Sequence, residues 1–394
     1  MKSNWNVAPL RELVGYISKG IAPSYAESET ETTIRVLNQK CNRNFQISYS
    51  ESRLHDTLRK RVPSERYVQQ GDILINSTGK GTAGRIAQIS DVPCDTTVDG
   101  HMIIIRANDK VTQNYLGYAL KAHQWEMLQL DEGSTGQTEL NRERLLDEIM
   151  ICFPKSLTEQ NEIILILEKI DQKLLINERI NDNLQQQAFA IFDRQLSNNH
   201  SSECYLSQIA IINPKRILKK NEPARCINMA LLSTSGSFPN GWEIKSYNGG
   251  MRFSNGDTLL ARITPCLENG KTAYIDFLDD GEVAFGSTEY VVIASQGKYP
   301  PEFFYCLARY PSFVEYAVKN MNGSSGRQRV SAETIGNYVL PVLTDDELSE
   351  FRSTVPSLFK AMKNNSIENM SLAQLRDTLL PKLMSGEIDV SNIL

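Results

Sequence analysis

QQGDILINSTGKGTAGRIAQI, Gln69–Ile89, returns later in the chain as SNGDTLLARITPCLENGKTAYI, Ser254–Ile275. Gly71-Asp72 and Gly256-Asp257 lie 185 residues apart. A second pair of segments, GSTGQTEL from Gly133 and GSSGRQRV from Gly323, recurs at an offset of 190. The chain thus repeats with a period of about 187 residues, which reads as a domain duplication and not as a solenoid. The drift between the two offsets implies loops of different length on one scaffold.

Each copy starts with strand-like text. GDILIN and GDTLLA read as a turn followed by a short β run, and Met102–Ala107 and Glu289–Ala294 read as buried strands. YLGYALKAHQWEML and EFFYCLARYPSFVEYAV read as amphipathic helices, the second interrupted at Pro311. Each copy reaches a Pro-bearing segment, Phe153-Pro154 or Leu340-Pro341, and closes on a long helical run.

The two runs carry a spacing of three and four. In the first it passes through Ile163, Ile166, Ile170, Lys173, Asn177, Ile180, Leu184, Gln187 and Ile191. In the second it passes through Leu348, Phe351, Val355, Leu358, Met362, Asn365, Asn369, Leu372, Arg376, Leu379 and Leu383. These are coiled-coil seams with polar residues in the middle, and each helix needs a partner. The duplication supplies one, so the reading is an α+β chain with two long helices packed as an antiparallel coiled coil and a pseudo-two-fold internal repeat. The division is 1–157, 158–197, 198–344 and 345–394: globule, helix, globule, helix. About 38 residues at 1.5 Å each give roughly 57 Å of helix, or about 17 base pairs. Thr158 and Asp345 are the expected caps, neither in a capping box. Pro356 predicts that the second helix kinks or starts there, and Pro381 that it bends or ends near its last turn. The plainer alternative is an ordinary core helix in each domain.

Composition bounds the function. The chain has 394 residues, 41% hydrophobic and 23% charged, as in soluble globular proteins. Its net charge of −5 excludes a uniformly basic nucleic-acid binder but not a locally basic one. Seven scattered cysteines, none in a CxxC pair, read as reduced buried thiols of a cytoplasmic protein. Met1–Leu10 lacks the apolar core of a secretory signal, and the longest aliphatic run, Ile163–Leu167, is too short for a membrane span.

Catalytic signatures fail one by one. PCLENGKT, Pro265–Thr272, ends like a phosphate-binding loop but has Pro265 in place of the first glycine, which removes a backbone donor. No Pro-Asp nuclease opening, Asn-Pro-Pro or Asp-Pro-Pro methyltransferase tetrapeptide, HExxH or GxSxG occurs, and His55, His101, His123 and His200 are isolated. No catalytic or metal-ligating residue is assigned.

Charge is uneven. Between Arg35 and Ser90 ten cations face four carboxylates, a net of +6, whereas Thr158–Gln195 carries −3. That is the distribution of a phosphate-facing surface beside a spacer. Asn76–Arg85 combines glycines, hydroxyls and cations, which suits a loop that follows phosphates and presents Asn76 or Arg85 to base edges. The candidate nucleic-acid contacts in the first copy are Asn38, Gln39, Lys40, Arg43, Asn76, Ser77, Thr78, Lys80, Thr82, Arg85, His101 and Gln137. In the second they are Arg252, Arg262, Thr264, Glu268, Asn269, Lys271, Arg327, Gln328 and Arg329. The bland reading of each loop is a structural turn.

Order and duplication make the chain resemble the DNA-specificity subunits of type I restriction-modification enzymes. The resemblance rests on Trp5 with Leu10–Leu13, GDILINSTGKGTAGR, DGHMIIIR, GSTGQTEL and EQNEIILILEKIDQKL in the first half. In the second it rests on GDTLLARITPCLENGK, GSTEYVVI, GSSGRQRVS and LRDTLLPKLMSGEID. It implies two target-recognition domains, each reading half of a split asymmetric DNA site in the major groove, with the helices as a ruler for the gap. It implies double-stranded DNA, two modification subunits and restriction subunits as partners. S-adenosylmethionine, ATP and Mg are then expected on those subunits, with no cofactor on this chain, which is non-catalytic. The rival class is a coiled-coil interaction scaffold that binds no DNA, and a third is an enzyme whose site carries no recognisable motif.

Overall fold

The computed structural model describes residues 4–132, 139–198, 200–324 and 326–390. It divides into two compact units, Met1–Asp171 with Leu375–Leu394, and Gln172–Gln374.

The first unit is built on an antiparallel sheet of β1 (Val14–Lys19), β2 (Ile73–Asn76), β3 (Ile86–Gln88) and β4 (Met102–Ala107), in the order β1-β4-β2-β3. β2 and most of β4 are buried on both faces, which explains their unbroken apolar text. Alternate residues enter different cores, because successive side chains in a strand point to opposite faces. Ile73, Ile75, Ile103 and Ile105 join the core under α1 (Gln113–Ala122). Leu74, Met102 and Ile104 join a separate core with Leu37 and Val98. Those two residues belong to a second sheet, in which Thr33–Leu37 pairs parallel to Thr96–Val98 and antiparallel to Arg53–Asp56. A two-stranded ribbon, Trp5–Pro9 against Met150–Pro154, leads to the first long helix.

The second unit repeats this plan. β5 (Ala210–Ile212), β6 (Thr258–Ala261), β7 (Thr272–Tyr274) and β8 (Tyr290–Ser295) are ordered β5-β8-β6-β7. Leu260, Val291 and Ile293 enter the helical core while Leu259, Tyr290 and Val292 enter the other. The second sheet again contains one parallel pair, Pro223–Ile227 with Ala284–Gly286, and Glu203–Tyr205 against Val339–Pro341 forms the ribbon. The expected break at Pro311 is present: α2 (Pro301–Arg309) and α3 (Pro311–Lys319) are separate helices, each opened by its proline.

The long helices are α4 (Leu157–Leu196) and α5 (Asp345–Met384). They pack on each other within each unit. In the second unit the partners run antiparallel, from Lys173–Glu368 through Asn181–Ser366 to Gln195–Glu347. In the first, Arg376 pairs with Asp171 at 3.1 Å.

Several details correct the sequence reading. The seam of α4 passes through Leu174 and Asn181 and not through Lys173 and Ile180, which are 46% (side chain) and 43% exposed. Asn181 takes the inner position because it exchanges hydrogen bonds with Asn365 and Ser366. Farther along, Ala188 and Phe192 are buried where Gln187 and Ile191 were expected. α4 is capped by Ser156, whose Oγ accepts from the Glu159 N–H at 3.4 Å, and not by Thr158. α5 has a capping box: the Glu347 N–H donates to Thr344 Oγ1 at 3.3 Å, and the Thr344 N–H donates to the Glu347 carboxylate at 2.8 Å. With that cap, α5 starts at Asp345 and continues past Pro356. Burial of Leu348, Phe351 and Val355 offsets the roughly 3 kcal/mol that an interior proline costs. Pro381 lies in the last turn, and Gly386 (φ +73°) follows the helix end. Of the seven cysteines only Cys41, Cys226 and Cys306 are buried, and Cys94 is exposed. No helix among the described residues is long and apolar enough to cross a membrane.

Candidate nucleic-acid interface

The two repeated motifs meet in space, in the same way in both units. In the first, the Leu140 N–H donates to the Ser77 carbonyl at 2.8 Å, and Thr78 and Glu139 form an antiparallel bridge. In the second, the Val330 N–H donates to the Arg262 carbonyl at 3.0 Å, and Ile263 and Arg329 form the bridge. These residues correspond at the sequence offsets of 185 and 190. The loop leaving each central strand therefore docks on the end of the GST/GSS segment, and the two build one rim.

In the first unit the rim is rigid from below. Asn76 is fully buried: it donates to the Gln39 carbonyl at 3.2 Å and accepts from Asn42 at 3.1 Å. Asn42 also donates to the Arg85 carbonyl at 2.9 Å. Thr78 Oγ1 lies 2.8 Å from His101 Nδ1 and 3.3 Å from Gln39 Oε1. Asn38 closes its own turn, accepting from the Lys40 N–H and donating to the Glu51 carbonyl. Gly84 (φ +89°) is required where the loop returns, since a Cβ there would lie 2.6 Å from the Met127 carbonyl oxygen.

Residues 2–186 match the family model described as the type I restriction modification DNA specificity domain. The chain is 31% identical over 192 residues to the type I restriction enzyme EcoAI specificity subunit of Escherichia coli, covering 46% of this chain and 32% of that protein. It is 23% identical over 425 residues to the MjaIX specificity subunit of Methanocaldococcus jannaschii, covering 99% and 95% of the two chains. The fold is that of a solved type I restriction-modification system S subunit from M. genitalium, with a TM-score of 0.57 at 16% identity over 98% of both chains. The first half of the chain thus matches the type I restriction modification DNA specificity domain, and its whole length is similar to a specificity subunit of that class. The chain spans about a third of the length of the Escherichia coli relatives it matches.

The candidate residues fall into two groups. Asn76 and Ser77 are buried, and Ser77 donates its N–H to the His101 carbonyl at 2.8 Å, so both hold the rim and do not face outward. Thr82 Oγ1 donates to the Thr78 carbonyl at 3.2 Å and is part of the same turn. Lys40, Arg43 and Lys80 are exposed and Arg85 half-buried, and among the described residues none of the four has an ion-pair partner. They are the free cations of the first rim. Gln137 lies outside the described residues.

In the second unit, Arg329 is committed to Glu289: its Nε lies 2.9 Å from Oε2 and its Nη2 2.7 Å from Oε1. That pairing holds the Glu289 carboxyl below the usual carboxylate range. Lys271 donates to the Met229 carbonyl at 2.8 Å, and Thr264 exchanges hydrogen bonds with Gln328. These residues brace the rim. Glu268, Asn269 and Arg327 are exposed, and Arg252 stands over the Tyr247 ring at 5.9 Å. Arg262 is half-buried, with a buried Nε that has no hydrogen-bond partner.

The Gly-Asp turns prove structural. Asp72 and Asp257 are buried, each accepts a backbone N–H three residues earlier at 2.8 Å, and each pairs with an arginine, Arg106 or Arg216, at 2.7 Å. Burial pushes the Asp257 carboxyl up despite Arg216. Of the ten cations counted between Arg35 and Ser90, Arg59 pairs with Asp56 at 3.1 Å and Arg35 pairs with Glu29.

Proposed function

We propose that this chain is the DNA-reading subunit of a type I restriction-modification enzyme and is itself non-catalytic. Each unit reads one half of a bipartite, asymmetric duplex site through its rim. The paired helices set the unread gap. The chain directs two modification subunits, and restriction subunits where they exist, to the site. S-adenosylmethionine, ATP and Mg serve those partners.

The observation that supports this best is the rim built twice by one backbone bond, Leu140–Ser77 and Val330–Arg262, on different side chains. Two unlike readers in one chain suit an asymmetric site, where a symmetric dimer needs a palindrome. The unpaired cations of the first rim supply the phosphate-directed part of binding.

Long-read methylation mapping of a plasmid from cells carrying this chain with its modification subunit tests the reading. A split motif with a fixed gap is expected, and deletion of one heptad from each of α4 and α5 shortens the gap while leaving both half-sites intact. Absence of any motif, with the modification subunit bound, moves the reading to a protein-binding scaffold.

A further inference from the structure

The two most exposed large apolar side chains among the described residues are Leu58, at 81%, and Ile217, at 86%. Both stand among cations: Leu58 in TLRKR, Thr57–Arg61, and Ile217 in KRILKK, Lys215–Lys220. Neither contributes to a core.

The loop that carries Leu58 is fixed on both sides. The Leu58 N–H donates to Asp56 Oδ1 at 3.0 Å, and the Asp56 Oδ2 holds Arg59 at 3.1 Å. Thr57 Oγ1 donates to the Thr32 carbonyl at 2.7 Å, and Lys60 Nζ to the Ala22 carbonyl at 2.7 Å. Beneath them His55 is fully buried, accepting the Ser24 N–H on Nδ1 at 2.9 Å, so its Nε2 donates to the Lys60 carbonyl at 2.8 Å. Thr57, Arg59 and Lys60 are each tied by a bond, and the leucine side chain stands out among them beside exposed Arg61. The loop also continues into the rim: Ala22 follows Ile21, which bridges to Asp99. The Asp99 carboxylate accepts the His101 N–H, and His101 meets Thr78.

Ile217 is presented by different means. On one side Arg216 is tied to buried Asp257, and on the other Leu218 packs on Ala224, Cys226 and Phe285. Lys215, Lys219 and Lys220 around it are exposed.

We infer that Leu58 and Ile217 are aliphatic probes that enter a groove of duplex DNA and meet apolar base surface, either a thymine methyl group or the face of an opened base step. This rests on the DNA-reading function proposed above. An aliphatic tip ringed by cations matches DNA, because the phosphates on either side of a groove take the charges while the bases below offer apolar surface. A preformed loop places the tip without further ordering cost.

The test uses the full chain in complex with its modification subunit, and duplexes carrying the mapped motif. Leu58→Ala should fold unchanged and weaken specific binding about tenfold, with the salt slope unaltered because every cation remains. Leu58→Met should restore most of the affinity. Duplexes with uracil for thymine should weaken wild type but not Leu58→Ala if the contact is a methyl group. Duplexes with 2-aminopurine should brighten at one step with wild type only if a base step opens. Ile217→Ala should act in the same way on the other half-site. Equal affinity of Leu58→Ala, Ile217→Ala and wild type would overturn the inference while leaving the DNA reading intact. Wild-type complex that shows no salt-dependent preference for the motif duplex would overturn both.

Discussion

Asn177, fully buried in the helix seam, donates a hydrogen bond to Asn369 Oδ1 at 2.8 Å, and Asn369 in turn donates to the Leu174 carbonyl at 3.3 Å. Glu368 accepts a second bond from Asn177 at 2.8 Å and is paired with Lys173. A buried amide pair of this kind fixes which turns of two helices face each other, at a cost in stability. Asn177→Ala should lower stability by about 1–3 kcal/mol, since it strands Asn369. The double change Asn177→Leu with Asn369→Leu should instead raise the Tm while relaxing the register. Thermal unfolding reads the first effect. Methylation mapping reads the second as a gap length that is no longer single.

Arg329 and Glu289 make the docking of the second rim pH-dependent. The carboxyl is held below its usual range by the guanidinium, so its contribution is fully present above the ordinary glutamate pKa, about 4.3, and is lost as pH falls through the lower folded value. Protection of the Val330 amide, taken against the intrinsic exchange rate at each pH, should therefore fall only in strong acid. In Arg329→Gln the protection should be low at all pH. An amide equally protected in both proteins would show that the ion pair does not hold the rim.

Gly386 closes the C-terminal end of α5 against Trp5. Its φ is +73°, and a Cβ there would lie 3.1 Å from the indole ring, whose Nε1 donates to Glu159 at 3.0 Å. Gly386→Ala should cost about 1–3 kcal/mol from the left-handed backbone alone. The loss should appear as a lower Tm with quenching or shift of Trp5 fluorescence, best read in Trp125→Phe and Trp242→Phe backgrounds.

Arg85 and Asn76 should separate reading from support. Arg85→Ala should leave the fold intact and weaken specific DNA binding by about 1–3 kcal/mol if it pairs with a base, or lower the salt slope by about 1 if it meets a phosphate. Asn76→Ala should lower the Tm, because Asn42 and the Gln39 carbonyl lose a buried partner. Near-zero change on DNA binding for Arg85→Ala would remove it from the interface.

Much of the architecture was legible along the chain. The unbroken apolar runs in GDILIN and MIIIRA are the signature of central strands buried on both faces, and the structure sends Ile73 and Leu74 into separate cores. Pro311 announced its break because proline opens a helix more readily than it continues one. Asn181 was hidden because hydropathy pointed to its neighbour Ile180, and only the facing Asn365 gives the amide its inner place. Pro356 misled for a related reason: local propensity argues for a break, but Leu348, Phe351 and Val355 are held in a core that sequence spacing cannot weigh.

The same division holds for the candidate site. By itself the sequence determined the duplication, the long helices and the loops that carry the cations, since periodicity and motif order are properties of the chain. Tertiary structure alone decided that Asn76 and Arg329 brace the rim, that Lys40, Lys80 and Arg85 are left without ion-pair partners among the described residues, and that Leu58 stands out from it. A polar side chain becomes structural or available according to whether a partner from a distant segment, such as Asn42 or Glu289, meets it, and that is fixed only when the segments pack.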